Sequence, residues 1–432
     1  MSDSSKENKI GYWQVVSIGI GGMVGGGIFA VLGLSVDLTH GAAPLAFLLA
    51  GIVAVFTSYS YSKLSVAFPS QGGTVAFLDR AFGPGLLTGS ANILLWISYI
   101  IMLSLYAYAF GSYGASLFPH SSQTLWKHIL ISFAIAGITG LNLLSAKLIG
   151  EAEDWIVLIK LLILALFIIV GLQGINTAHL SPGEWSAPLN IIAGGMIIFL
   201  AYEGFELIAN SSQDVKDPSK TLPRAYYSSV LFVIILYILI AGVTIGTLPV
   251  SKIIDAQDYA LAEAAKPFLG QAGFILIAVA AVLSTASAIN ATLYGTARLS
   301  YIIAKDGELP EFLERKVWNE PVEGLLITSV ITLIVANLVD LSSISTMGSI
   351  GFLLIFAAVN FANTKLSHDT KSKKWISMTG AVLCFAALIS LLWQTAESSP
   401  IQLAIPIIMI GIAVLIELMF RIYTNRKIKL HK

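Results

Sequence analysis

Long apolar stretches separated by short polar segments form the main pattern of the chain. A helix needs roughly 20 apolar residues to cross the hydrocarbon core of a bilayer, and stretches of this length recur twelve times. They lie near residues 13–37, 42–68, 85–117, 128–146, 152–173, 190–212, 224–248, 271–304, 324–340, 343–365, 375–394 and 401–423. The pattern predicts an all-α membrane protein with twelve transmembrane helices.

Glycine interrupts the first apolar stretch at its centre. Five glycines fall within residues 21–27, and each costs about 1 kcal/mol relative to alanine in a helix interior. A helix break at membrane depth survives only where its backbone groups line a cavity or meet a ligand. The run predicts a break that forms a binding site, although such glycines also permit close packing of helices.

The sixth apolar stretch is interrupted in a similar way by Glu203, Gly204 and Glu206. The two carboxylates share a face if the segment is helical, and they separate if it breaks at Gly204. Two interrupted spans at corresponding places indicate an inverted-repeat transporter that binds its substrate near the bilayer midplane. The alternative is a buried glutamate pair that is hydrogen-bonded to other spans.

The composition also indicates a membrane protein. Of the 432 residues, 56% are hydrophobic and 12% are charged, the mean hydropathy is +0.82, and a soluble domain carries about twice that share of charge. The net charge of zero gives no indication of nucleic-acid binding, and one cysteine can form neither a disulfide framework nor a metal cluster. No span carries a nucleophile with its base or a metal-binding helix motif, so we do not expect an enzyme.

The positive charges alternate between the two sides of the predicted membrane. If both termini lie on one side, that side holds 21 of the 25 lysines and arginines, the other side holds 3, and Lys160 lies within a span. The positive-inside rule then predicts that both termini are cytoplasmic. We expect a multi-pass protein of the plasma or inner membrane.

Lys160 lies about eight residues into the fifth span, roughly 12 Å deep at 1.5 Å per residue. An amine at that depth costs roughly 3 kcal/mol even on lenient scales and indicates a function by default. Burial favours its neutral form, which would let it exchange a proton under physiological conditions. The alternative is a permanently charged strut that binds backbone carbonyls.

The eighth span contains small hydroxyl-bearing residues, among them Ser284 and Ser287. Such hydroxyls commonly bond to carbonyls of their own helix or pack against neighbouring helices. Combined with an ammonium group on the fifth span, they become candidate ligands for Lys160.

Several motifs resemble those of the amino acid-polyamine-organocation (APC) transporters. The run GGGIF at residues 25–29 is similar to their first-span G-(S/T/A)-G-I-F motif, and residues 199–206 resemble their sixth-span F-x-A-Y-x-G-F-E pattern. Residues 63–84, 214–225 and 297–310 are similar to other segments of the family, so the resemblance covers the first ten spans. The chain most closely resembles the proton-coupled, broad-specificity prokaryotic members that hold a lysine in span five.

The resemblance implies the leucine-transporter fold. In this fold two five-helix repeats are inverted in the membrane plane, helices 1 and 6 are discontinuous, and two further helices are peripheral. The implied divisions are a cytoplasmic N-terminal tail at 1–12, a first repeat at 13–173, a second repeat at 190–365, helices 11 and 12 at 375–423, and a cytoplasmic basic tail at 424–432.

The resemblance also implies that an amino acid binds at the two breaks. Its carboxylate would meet backbone amides of the first span at Gly26 and Gly27, and its ammonium would meet carbonyls at Met23 and in the sixth span. Helix N-termini favour anions and the opposing carbonyl ends favour cations, which supports this arrangement. The implied substrate-binding residues are Met23, Gly25, Gly26, Gly27, Leu200, Ala201, Tyr202 and Glu203.

By the same resemblance, Lys160 holds its ammonium where sodium-coupled relatives of the fold bind a cation, between the first and eighth spans. It would reach the carbonyl of Gly21 and the hydroxyl of Ser284 or Ser287. Protons would then be the coupling ion, and neither sodium nor a cofactor is expected. Glu206 fits the family pattern, in which an acid at this place is tied to gating.

Glu203 departs from the family pattern, because the family usually has an apolar residue at this place. Its carboxylate could attract a cationic side chain, narrow the substrate range towards small polar amino acids, or take part in proton coupling. The sequence leaves these three roles open.

Import of amino acids by proton symport is the leading hypothesis. Amino acid or polyamine exchange is the alternative, and the two glutamates would favour a cationic amine. A nutrient sensor built like a transporter is a third hypothesis, although the chain has no sizeable soluble domain to carry a signal. The expected partners are a small amino acid substrate and the lipid bilayer, with no nucleic acid and no obligate protein partner.

Overall fold

The fold is known from a computed structural model, which describes residues 9–144, 147–305, 307–314 and 321–424. All of the regular structure in these ranges is helical, apart from two isolated backbone bridges. The prediction of an all-helical membrane protein is confirmed. Residues 1–8 and 425–432, which belong to the two predicted tails, lie outside the described residues.

Sixteen α-helices follow one another in the described part of the chain. They are α1 (Tyr12–Met23), α2 (Gly27–Thr39), α3 (Ala43–Ala67), α4 (Thr74–Phe82), α5 (Leu86–Ala115), α6 (Gln123–Leu144), α7 (Lys147–Gly171), α8 (Pro188–Ile197), α9 (Leu207–Asn210), α10 (Pro218–Thr247), α11 (Val250–Asp255), α12 (Ala260–Lys305), α13 (Val322–Leu338), α14 (Leu341–Lys365), α15 (Lys374–Ser398) and α16 (Ala404–Thr424).

Nine of the described helices are long and apolar enough to cross a bilayer, and two bent helix pairs raise the count to 11 if each pair is one span. The first pair is α1 with α2, bent by 44°, and the second is α8 with residues 199–210, bent by 41°. Helix α13 is apolar but shorter, with 17 residues. The count of twelve spans and the inverted repeat therefore remain predictions.

Two helices begin where the apolar pattern alone does not predict a start. Helix α10 begins at Pro218 rather than near 224. Proline suits the first turn of a helix, because it has no N–H group that would need a partner there. The apolar pattern misses this start because the residues of the first turn are polar. Helix α12 begins at Ala260 but bends at Gly270, whose φ of 62° is accessible to glycine. The predicted span at 271–304 begins directly after this bend.

Helix α5 lies at the centre of the bundle. It is buried along most of its length and packs against α6, α12 and α14. Helices α15 and α16 lie at the edge and expose large apolar side chains, including Trp375, Ile389 and Ile407. Such apolar surfaces are typical of contact with a membrane.

A backbone bridge ties the start of α1 to the segment that follows the second bent pair. The amide of Ile10 donates to the carbonyl of Asp214 over 2.8 Å, and the amide of Lys216 donates to the carbonyl of Ile10 over 2.9 Å. The two bent pairs are therefore linked to each other at this end of the protein.

Candidate substrate and coupling site

The first helix break lies between α1, which ends at Met23, and α2, which begins at Gly27. The first amides of a helix have no acceptor within the helix, and here they belong to Gly27 and the residues next to it. An anion is favoured at such a helix start. The backbone at this break can therefore bind a carboxylate.

The second break lies in the 3-10 helix Phe199–Glu206, which follows α8. Ser345 and Ser349 of α14 donate to the carbonyl oxygen of Ile197 over 2.6 and 3.0 Å, and the amide of Leu200 donates to Ser349 Oγ over 3.2 Å. These hydroxyls satisfy backbone groups that the break releases from helical hydrogen bonds. The sequence analysis missed both serines.

Glycines bring the two breaks into backbone contact. A Cβ atom added to Gly27 would lie 2.7 Å from the Cα of Ala201, and one added to Gly22 would lie 2.7 Å from the carbonyl oxygen of Gly204. A side chain at either position would require the backbone to move. The glycine run therefore serves close packing as well as the break, and the binding site at the break remains a prediction.

Tyr237 of α10 joins the two breaks. Its hydroxyl donates to the carbonyl oxygen of Met23 over 2.6 Å and lies 3.4 Å from the carbonyl oxygen of Ala201. Both carbonyls belong to residues that the resemblance assigns to the substrate. A tyrosine hydroxyl buried in a span usually has a hydrogen-bond partner. This requirement could have marked Tyr237 as a candidate residue, but the sequence analysis did not use it.

Tyr202 directs its side chain towards α3 and α10. Its hydroxyl donates to the carbonyl oxygen of Phe47 over 3.0 Å, and its ring centre lies 5.2 Å from that of Tyr237. The side chain of this predicted substrate residue thus supports Tyr237, and its backbone remains part of the second break.

We expect Tyr237→Phe to lower the initial rate of amino acid uptake about tenfold while the protein still folds. The change removes only the hydroxyl, so the buried carbonyl of Met23 loses its donor, which costs about 1–3 kcal/mol. Uptake into proteoliposomes measures the effect. Tyr227→Phe alters a half-buried tyrosine earlier on the same helix and should leave the rate unchanged; equal rates for the two variants would contradict a role for the Tyr237 bridge.

Lys160 of α7 is buried, with 2% of its surface exposed. Its Nζ lies 3.3 Å from the carbonyl oxygen of Gly21, in the last turn of α1. Ser284 of α12 donates to the carbonyls of Val24 and Gly25 at the same break, and Ser287 is half-buried on the same helix. The structure brings Lys160 and Gly21 together, whereas Ser284 binds backbone oxygens.

A cavity of about 480 Å³ leads from one face of the protein towards the first break. Its lining includes Gln14 in the first turn of α1, and Gly21 and Gly22 near the end of this helix. At 1.5 Å per residue, the cavity descends roughly 10 Å along α1. The cavity therefore reaches the last turn of α1, next to the first break, from the face where α1 begins.

Glu206 borders a narrow crevice, which Tyr99 also lines and which shares Leu207 and Asn210 with the larger cavity. Its Oε1 accepts a hydrogen bond from Thr74 over 2.8 Å, and Tyr61 in turn donates to Thr74 over 2.8 Å. Thr74 belongs to α4, the short helix between α3 and α5. Glu206 thus connects the second break to α4, and its gating role remains a prediction.

Glu203 is buried in the same 3-10 helix, with 2% of its surface exposed. Its Oε2 has no hydrogen-bond partner among the described residues. Of the buried glutamate pair with hydrogen-bonded partners elsewhere, Glu206 has such a partner in Thr74, whereas the Oε2 atoms of both glutamates have none among the described residues.

These features define the class of the protein. The protein has many apolar helices, and two of its spans are broken and touch each other at the breaks. A cavity leads from one face to the last turn of α1. This combination is characteristic of secondary transporters. The chain belongs to the amino acid permease family, whose model matches residues 10–415. The proteins of this family are membrane permeases and not enzymes, and this chain is accordingly a multi-pass membrane transporter.

Three relatives show how far the likeness extends. The chain is 39% identical to the uncharacterized protein MJ0609 of Methanocaldococcus jannaschii, over 90% of this chain and 89% of that protein. It is 33% identical to the inner membrane transport protein YbaT of Escherichia coli K12, over 91% and 92% of the two chains. It is 27% identical to the serine/threonine exchanger SteT of Bacillus subtilis, over 83% and 84%.

Proposed function

We propose that the protein imports amino acids by proton symport, with Lys160 as a protonatable group in place of a sodium ion. The observation that best supports this mechanism is the buried amine of Lys160, 3.3 Å from the carbonyl oxygen of Gly21 at the end of α1. A cation is favoured beside the carbonyl end of a helix. Loss of its proton would weaken this contact and free α1 to change its position.

In the proposed binding mode, the substrate carboxylate meets the amides of Gly26 and Gly27, and the substrate ammonium meets the carbonyls of Met23 and Ala201. The hydroxyl of Tyr237 donates to the carbonyl of Met23 and lies 3.4 Å from that of Ala201, so the ammonium would take over its place as donor. A charged donor forms a stronger hydrogen bond than a neutral hydroxyl. Binding would therefore hold the two breaks together at least as firmly as Tyr237 does.

The proposed architecture is the inverted repeat of residues 13–173 and 190–365, with helices at 375–423 outside it. Both termini are then cytoplasmic, in the plasma or inner membrane, which the bias of 21 positive charges against 3 supports. The cavity beside α1 would open to the cytoplasm. The conformation would be the one that releases substrate into the cell.

Exchange is the second candidate mechanism, because SteT is named a serine/threonine exchanger. An exchanger needs an amino acid on the opposite side of the membrane, whereas a symporter needs a proton gradient. The two mechanisms share the same site and differ in the step that resets an empty transporter.

Purified protein in liposomes tests the proposal with a panel of labelled amino acids under separate pH and sodium gradients. Symport requires accumulation when the lumen is alkaline, and no accumulation from a sodium gradient alone. Uptake that depends on amino acid inside the liposomes would support exchange instead. Binding without any accumulation would support a sensor and overturn both transport mechanisms.

A further inference from the structure

Glu203 and Glu206 each have one buried carboxylate oxygen without a hydrogen-bond partner among the described residues, but the other oxygen of Glu206 accepts a hydrogen bond from Thr74. Glu203 is buried, and its Oε2 has no partner among the described residues. The ion pairs that occur within the described ranges join other residues. A buried carboxylate without a partner is costly, and proteins normally pair such groups. A bound molecule that supplies hydrogen-bond donors would remove this cost.

The 3-10 geometry determines which way Glu203 faces. Residues three positions apart lie on the same face of a 3-10 helix, so Leu200, Glu203 and Glu206 share one face. Leu200 packs on Gly348 of α14, where an added Cβ would lie 2.7 Å from its Cδ2. Glu206 borders the crevice beside Tyr99 of α5. Glu203 therefore faces the space between α5 and α14.

Two tyrosines of α5 connect this space to the first break. Tyr99 and Tyr106 are seven positions apart and so lie on one face of α5, and Tyr99 borders the crevice beside Glu206. The ring of Tyr106 also packs directly against Gly26. Tyr106 thus lies beside Gly26, on the face of α5 that also carries Tyr99.

We propose that Glu203 binds the side chain of the substrate and selects amino acids with a cationic side chain, such as lysine, ornithine and arginine. This inference rests on the proposed amino acid transport, because the backbone at Gly26 and Gly27 would hold the other end of the same molecule. An ammonium or guanidinium group donates charge-assisted hydrogen bonds to a carboxylate. Glu206, one 3-10 turn away, adds a second acidic group to the same face, which further favours a cation.

Substrate pairs that differ mainly in charge test the proposal. Arginine and citrulline have similar shapes, as do lysine and norleucine, but only the first of each pair carries a positive side chain. In wild-type proteoliposomes, uptake of the cationic member should exceed that of the neutral one at least tenfold. Glu203→Gln should remove this preference, because charged pairs broken on one side lose their specificity.

Glu417→Gln provides a matched control. It removes another buried carboxylate, on α16, where Glu417 is paired with Arg421, and it should leave the preference for cations unchanged. Thermal stabilisation of the purified protein by each amino acid gives a second readout that needs no transport. Stabilisation by arginine should be lost in Glu203→Gln and retained in Glu417→Gln.

The outcomes separate this inference from the proposed function. Equal uptake of arginine and citrulline by the wild type would overturn the role of Glu203, and so would an unchanged preference in Glu203→Gln. In either case, proton-driven uptake of alanine by the wild type would still support transport. A preference for glutamine over lysine would overturn the selection of cations. Stabilisation by arginine that depends on Glu203, without accumulation of any amino acid, would support the role of Glu203 and contradict transport.

Discussion

Replacement of Lys160 by glutamine should abolish the accumulation of amino acids that a pH gradient drives, while substrate binding remains. Glutamine keeps a polar N–H donor, although it is one bond shorter than lysine, whose Nζ lies 3.3 Å from the carbonyl of Gly21, and it has no proton to exchange. A gradient of two pH units stores about 2.7 kcal/mol per proton, which corresponds to about 100-fold accumulation. The wild type should approach this ratio, and the variant should equilibrate its substrate across the membrane.

Proteoliposomes with an alkaline lumen measure both properties. Accumulation of a labelled amino acid reports coupling, and counterflow without a gradient reports binding and movement of the substrate. Lys127→Gln is the control, because Lys127 is a partly buried lysine near the start of α6 that binds Tyr108 and Asp258. Full accumulation in Lys160→Gln would leave this lysine as the fixed strut that the sequence also allowed.

The positions of the two breaks could be predicted from sequence because their causes are local. Glycine is costly inside a helix wherever it lies, so residues 21–27 indicate a break without reference to any other span. Glu203 and Glu206 are similarly conspicuous in an apolar stretch. The contact between Lys160 and Gly21 required more, since only the resemblance to a family related the fifth span to the first.

The residues that hold the breaks could not be predicted, because their roles depend on which helices pack together. Ser345 and Ser349 lie in a span with other small polar residues, and only the packing of α14 against α8 selects them. Tyr237 lies in an apolar run whose pattern gives its hydroxyl no direction. Ser284 remains a predicted ligand of Lys160, and its donation to Val24 and Gly25 follows from a tertiary contact that the sequence does not reveal.

Addition of a single methyl group at Gly204 should abolish transport. A Cβ at this position would overlap the backbone of Gly22 and Met23, and the 3-10 helix would have to move away from α1. That movement would also separate the two carbonyls that Tyr237 joins. We expect uptake by Gly204→Ala to fall about 100-fold, because overpacking of this kind costs up to about 3 kcal/mol.

Two further alanine variants turn this prediction into a graded series. Gly22→Ala should have an intermediate effect, since its Cβ would lie 2.7 Å from the carbonyl oxygen of Gly204 and 2.9 Å from the flexible side chain of Leu207. Gly137→Ala, on an exposed side of α6 with no atom within 4 Å of the added Cβ, should transport normally. Initial uptake rates of monodisperse protein in liposomes give the order. If Gly204→Ala transported as well as Gly137→Ala, the contact between the two breaks could not be part of the transport cycle, and the substrate site would have to lie elsewhere.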